Sequence, residues 1–300
     1  MKLRYSFFEN LVLVLIIVFS AFFLFSALPA DPIRAMVGVN ASEEAVQSLR
    51  EKFGLDRTLW EQFGTYLVNL TTLNLGTSFV TGRPASSDVF SSFLSSLTYA
   101  GFALLIALLY SVLAAYISFM SNIKIKTALV WIHILLLTIP ELLIAIAAGI
   151  FFLKFNTFGF IEELRSRQIV TASIVLAIYP SAVLAQTLIN QFNEAREKPY
   201  VITSTGFGFK KNQLFGIIFT NSYMPWLALL SNIAAILIAG SIVVELVFSL
   251  PGLGRLIYQS ILRSDYPMLQ GIVLVTSISY VIFNLFIETI YNSLLISNKT

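Results

Sequence analysis

The stretch Val243–Pro267, VVELVFSLPGLGRLIYQSILRSDYP, decides the fold. It holds a glutamate, Glu245, inside a strongly apolar run, stops on Leu250-Pro251-Gly252-Leu253-Gly254, and resumes as an amphipathic segment. An unpaired carboxylate is costly in a soluble core and costly on a lipid-facing helix, so the remainder of the chain has to identify the solvent. Of 300 residues, 57% are hydrophobic and 12% charged, whereas soluble proteins carry about 25% charged residues. The chain is a membrane protein. Without cysteine there is neither a disulfide framework nor a thiolate metal site, and a single histidine, His133, cannot form a histidine ligand cluster. The 19 basic residues are scattered and the net charge is only +3. No basic patch can follow a phosphate backbone, so nucleic acid is not an expected partner.

A helix crossing the hydrocarbon takes about 20 mostly apolar residues. Six runs meet that length, near 11–28, 99–120, 127–153, 169–189, 226–250 and 268–296. In lipid, backbone polar groups have to be satisfied within their own segment, which makes these runs helices rather than open strands. Lys2 and Arg4 precede the first run as in a signal peptide, but the run is long for one and Leu28-Pro29-Ala30 is a poor cleavage site. A retained span is expected. Orientation follows from Lys and Arg in short loops. With the N-terminus in the cytoplasm, nine basic residues fall inside: Lys2, Arg4, Lys124, Lys126, Arg196, Lys198, Lys210, Lys211 and Lys299. Short outside loops hold five, Lys154, Arg165, Arg167, Arg255 and Arg263, and the long first loop holds Arg34, Arg50, Lys52, Arg57 and Arg83. Both termini are therefore expected in the cytoplasm.

Two loops are too long to be plain connections. The first carries helical signals: Asn40 with Glu43 suits a capping box, Gly54 a C-cap, and Asp56 can cap a second helix. Within that second helix Leu59, Trp60, Phe63, Leu67 and Leu70 form one apolar stripe. The expected organisation is an N-terminal segment with the first span (1–28), a small external subdomain (29–98), and a core of the remaining spans (99–300) with a cytoplasmic loop at 191–225. That loop is polar at its start, glycine-containing at Gly206 and Gly208, basic at Lys210 and Lys211, and apolar again from Leu214 to Phe219.

No catalytic constellation is present. The sequence has no phosphate-binding G-x-x-x-x-G-K-[ST] loop, no H-E-x-x-H and no G-x-S-x-G. An energy source has to come from a partner or a gradient. The ionisable residues within spans are His133, Glu141 and Glu288, with Glu245 near the end of its own. A charge at the bilayer centre costs roughly 2.5–3.5 kcal/mol even on the permissive insertion scale. Each of the four is expected to line a path or to face the bundle interior beside a partner. Glu141 follows Pro140, where a kink frees backbone carbonyls.

Several separate stretches resemble the inner-membrane permease subunits of bacterial ABC importers for dipeptides and oligopeptides. FGLDRTLWEQFGTYLVNLTTLNLGTSF, Phe53–Phe79, is similar to that family's external signature of Gly-Leu-Asp, Gln-aromatic-x-x-Tyr-Leu and Leu-Gly-x-Ser-Phe. Pro140 falls at the family's Ile-Pro step, and Val243–Pro267 resembles its Val-Glu-x-x-Phe-x-x-Pro-Gly-Leu-Gly followed by Asp-Tyr-Pro. The resemblance implies an all-α membrane protein with six transmembrane helices of the type I importer permease fold and a small helical external subdomain. It further implies a second homologous permease, two cytoplasmic ABC ATPases, an external substrate-binding protein and a peptide substrate, in the bacterial inner membrane. No cofactor is expected in this chain, ATP and magnesium being held by the ATPases.

The resemblance also assigns the cytoplasmic loop as the element that docks into an ATPase. YVITSTGFGFKKNQLF (200–215) occupies that place, and the expected coupling residues are Tyr200, Thr203, Ser204, Gly206, Phe207, Gly208, Phe209 and Lys210. Family members usually carry arginines near Ile202 and Thr205, and an arginine is common at the place of Gln186; this chain has none there. Docking is therefore expected to rest on Tyr200, Phe207 and Phe209. Pro251 and Gly252 are expected to turn the chain outside the membrane, and Gly254 to permit close approach before an amphipathic helix from Arg255 to Leu262. Glu245 would then sit near the outer mouth, within reach of water. The alternative is an ion-coupled secondary transporter, which would show inverted repeats around a midplane ion site.

Overall fold

The computed structural model describes residues 2–27, 31–38, 41–155, 161–239 and 241–297. Among these the chain is helical, with one antiparallel bridge, Thr77 to Pro84, and no strand. Backbone contacts gather it into two units: Met1–Ser96 with Pro251–Ile282, and Leu97–Leu250 with Phe283–Thr300.

The first unit begins with α1 (Lys2–Ser26) and continues through α2 (Pro32–Val37), α3 (Glu43–Phe53) and α4 (Leu59–Thr71). Asp31 caps α2 through the Ile33 and Arg34 N–H groups and pairs with Arg50 of α3 at 2.5 Å, while Arg34 pairs with Glu43. Burial pushes the Asp31 carboxyl upward, but the hydrogen bonds from Arg50, Arg34 and Ile33, with the Arg50 charge, outweigh it and hold the group below its ordinary value. The cap of α3 is Ser42, whose hydroxyl accepts from Ala45 N–H; Asn40 lies outside the described residues. The cap of α4 is Thr58 rather than Asp56. Thr58 accepts from Glu61 N–H, and Glu61 reaches back to Thr58 N–H at 2.9 Å, a complete capping box.

The apolar stripe of α4 divides in two. Phe63 meets the rings of Phe19, Phe22 and Phe23 of α1 at 5.1–5.5 Å, and Tyr66 stacks on Phe22. Burial pushes the Tyr66 phenol up to about 12. Trp60 touches Phe23 by its edge yet stays 68% exposed, and Leu59 and Leu67 are also exposed. The stripe is therefore a half-covered face, not a buried core.

Next come α5 (Ala85–Met120), α6 (Ile123–Thr138), α7 (Glu141–Phe155) and α8 (Ile161–Ala195). At about 1.5 Å per residue, the 36 residues of α5 run well past the roughly 30 Å of hydrocarbon. The expected third span, 127–153, is not one rod. It breaks at Pro140 into α6 and α7, bent by 93°, because proline lacks an N–H and its ring clashes with the preceding turn. The chain then passes through α9 (Pro199–Gly206), α10 (Lys211–Ser222), α11 (Met224–Ala239) and α12 (Ile242–Val247), and ends with α13 (Leu253–Leu262) and α14 (Tyr266–Ser297). The expected loop 191–225 is thus mostly helix. Among the described residues four helices are long and apolar enough to cross a membrane, five if the bent pair counts as one span, and the apolar part of α1, Val12–Ser26, is shorter.

In the second unit α8 is the hub, packing against α6, α7, α10, α11 and α12. Its buried Ser173, Ala177, Ser181 and Ala185 recur every four residues, a row of small side chains that lets neighbouring backbones approach closely. α7 and α12 meet the same way: a Cβ added to Gly149 would lie 3.0 Å from Val247.

Candidate functional site

Pro199 opens α9, where its fixed φ suits the first helical position and its missing N–H costs nothing. The other end is closed by a pair of backbone bonds, Gly208 N–H to Thr205 C=O at 3.0 Å and Phe209 N–H to Ser204 C=O at 3.2 Å. That pairing is the Schellman arrangement, which places the residue after the cap in the left-handed region. Gly208 has φ +80° and nothing within 4 Å of where its Cβ would be. Glycine is favoured there by the backbone, not by space.

One face of α9 is rooted. Val201 is buried, and Tyr200 packs with it against Ala115, Phe119, Leu188, Phe192, Leu214 and Ile218. Arg196 lies over the Phe119 ring at 5.1 Å. The other face is bare: Ile202 is 61% and Phe207 79% exposed, and Thr203, Gly206, Gly208, Phe209 and Lys210 are exposed beside a half-buried Ser204. Tyr200 thus belongs to the chain's own core rather than to the bare face. Ile202, considered in the sequence only for the arginine missing near it, stands on that face; the signal was its place beside buried Val201 on a short helix. After the turn, Gln213 accepts from Lys210 N–H at 2.8 Å and starts α10.

The ionisable residues of the spans are dispersed. His133 of α6 is fully buried, its Nε2 3.0 Å from the Tyr110 hydroxyl of α5. Gln186 of α8 is its electrostatic neighbour. Glu245 of α12 is fully buried rather than open to water, and the Ser241 hydroxyl, one turn earlier, donates to it. Glu288 is half-buried on α14. Glu141 stands at the first position of α7, half-buried, with Oε1 shielded and without a hydrogen-bond partner.

The turn after α12 is made two residues earlier than expected. Ser249 takes φ +53°, with Ser249 N–H on Leu246 C=O and Leu250 N–H on Glu245 C=O. Pro251 follows, the chain bends at Gly252, and α13 starts at Leu253 rather than Arg255. Gly254 is buried in its first turn, and Leu253 N–H donates to Ser96 at 2.8 Å. Asp265, the aspartate of the Asp-Tyr-Pro stretch, is buried just before α14. It accepts from the Ser78 hydroxyl and from Phe79 N–H at 3.1 Å, fastening the turn that closes on the Thr77–Pro84 bridge.

Two family models match this chain. Residues 107–295 match the binding-protein-dependent transport system inner membrane component, and residues 3–97 match the N-terminal membrane component of the same systems. A putative peptide transport system permease of Brucella abortus (strain 2308) is 30% identical over 94% of both chains. A glutathione transport system permease of Shigella flexneri is 28% identical over 94% of both. A dipeptide transport system permease of Alkalihalophilus pseudofirmus is 24% identical over 88% of this chain and 89% of its own. The matches set aside the ion-coupled secondary transporter. The chain belongs to the inner membrane components of binding-protein-dependent ABC transport systems.

Proposed function

We propose that this multi-pass inner-membrane permease carries short peptides, together with a second, related permease and two ATPase subunits that hold ATP and magnesium. The peptide, dipeptide and glutathione systems of its relatives support that cargo. The observation that carries the coupling role is α9 itself: a helix rooted by Val201, ended at a fixed point by Gly208, and bare at Ile202 and Phe207. With both termini in the cytoplasm, that bare face meets an ATPase. Burying a large apolar side chain contributes about 1.5–3 kcal/mol, so Ile202, Phe207 and Phe209 can hold α9 in a cleft without the arginines common in the family. ATP-driven closure of the ATPases then pulls on α9. Through Leu188 and Phe192 the pull reaches α8, the hub of its unit, and rigid bundles rock to open the path alternately to each side. This chain performs no covalent chemistry.

The test is the double substitution Phe207→Ala with Phe209→Ala in the purified transporter, read by recovery of the ATPase subunits and by ATPase activity with and without loaded binding protein. Loss of stimulation in an inserted subunit is expected. Full recovery, stimulation and peptide uptake would remove α9 from the coupling role.

A further inference from the structure

At the break between α6 and α7 lies a cavity of about 270 Å³. Leu136, Ile144, Leu176, Tyr179 and Ile236 line it, and among the described residues Glu141 is the one charged residue in its wall. Glu141 Oε1 is shielded from solvent and unpartnered, a state that is costly for a carboxylate among apolar groups. Two prolines add to the imbalance. Pro140 and Pro180 have no N–H, so the carbonyls four residues earlier, those of Leu136 and Leu176, lose their helical donors. Both of those residues line this same cavity. The wall therefore brings together one carboxylate residue, two residues beside interrupted backbone and Tyr179, and, among the described residues, no lysine, arginine or side-chain amide.

A ligand that answers this set brings positive charge, several N–H donors and an apolar substituent. A primary ammonium has three donors. A hard metal ion fits less well, since calcium takes about six to eight oxygens. The volume lies below the roughly 300–1,000 Å³ of pockets that enclose whole drug-sized ligands, which suits one amino-acid residue rather than an entire peptide. We propose that this cavity takes the amino-terminal residue of the cargo peptide, with Glu141 on the α-ammonium and Leu136, Ile144, Leu176 and Ile236 around the first side chain. The proposal deepens the peptide reading above and rests on it.

The test uses the complete transporter in nanodiscs without binding protein, so that the binding protein's own selectivity does not enter. The probes are leucinamide and N-acetyl-leucinamide, which share a side chain and differ in the ammonium, and binding is read by saturation-transfer NMR. Leucinamide is expected to bind and N-acetyl-leucinamide not. Glu141→Gln should weaken leucinamide by about tenfold or more, while Glu141→Asp retains part of the binding. Equal binding of both probes, no binding of leucinamide, or an unchanged affinity in Glu141→Gln would each overturn the proposal. Peptide uptake with binding protein present is measured in parallel. A wild-type transporter that binds leucinamide through Glu141 but takes up no peptide would leave the ammonium site standing and refute the peptide reading instead.

Discussion

Gly208 offers the sharpest perturbation, because its environment separates backbone strain from contact. At φ +80° with open space around the Cβ position, a new side chain meets nothing within the chain and bears only the cost of the left-handed region. That cost is about 1–3 kcal/mol for a non-glycine residue, least for asparagine, which ends helices in this way, and greatest for a β-branched residue. The expected order of damage is Gly208→Asn, then Gly208→Ala, then Gly208→Val. α9 has only eight residues, so unmaking the two closing bonds to Ser204 and Thr205 releases its last turn and moves Phe207 and Phe209, while Val201 stays rooted. The assay is ATPase activity of the reconstituted transporter with and without loaded binding protein, beside hydrogen exchange across 203–209. Gly208→Val should lose stimulation and protection together, and Gly208→Asn should keep most of both. If all three variants are equally impaired, the bulk of the side chain against a partner matters and the backbone argument fails; if none is impaired, the Schellman turn does not position the coupling face.

Three further outcomes follow from the first unit and the topology. Phe63→Ala should destabilise the α1–α4 contact by about 2–3 kcal/mol, below the 3–5 kcal/mol of a fully buried phenylalanine, while Trp60→Ala, at 68% exposure, should cost far less; thermal unfolding and protease resistance of 43–71 measure both, and equal effects would refute the half-covered stripe. Asp31 has a folded pKa below its ordinary 3.8, so its contribution is complete above that value and is lost as the pH falls through the folded one. Melting of the first unit should therefore weaken on acidification below about pH 4, and Asp31→Asn should flatten that slope; an unchanged slope would detach Asp31 from acid stability. Reporters fused after Ala41 or Leu73 should read as external and those after Lys124 or Lys211 as cytoplasmic, and the reverse pattern would place α9 on the wrong side for an ATPase.

How much of this was legible in the sequence depends on whether the chemistry is local. Five helices, α3, α4, α9, α12 and α13, end in the same paired turn, with Gly54, Leu73, Gly208, Ser249 and Ser264 in the left-handed position. The two glycines announce themselves because only glycine adopts that region without penalty. Leu73, Ser249 and Ser264 carry no such mark, so the sequence points to Pro251 and Gly252 for the turn after α12, two or three residues late. The capping box of α4 was readable: Asp56 and Thr58 are both competent caps, but only Thr58 has a glutamate three residues on. Ser241 stands one helical turn before Glu245, so that pair too was within reach of spacing alone. Asp265 and Ser78 are separated by 187 positions, and nothing local to either says that they meet.

The cavity at Glu141 lies between these cases. Pro140 marks a break in the sequence, but a proline kink leaves open whether the freed carbonyl faces lipid, a neighbour or a cavity. The same cavity is lined from α8 by Leu176 and Tyr179, and α8 carries its own proline at 180. Each proline alone is tolerated in a span because neighbouring groups re-satisfy the backbone. Here two of them stand near a carboxylate whose Oε1 has no hydrogen-bond partner. A purely structural kink would favour apolar side chains throughout such a wall, since each replaces a costly polar atom by packing. Glu141 is the departure from that expectation, and it stands in the unit whose hub α8 also roots α9.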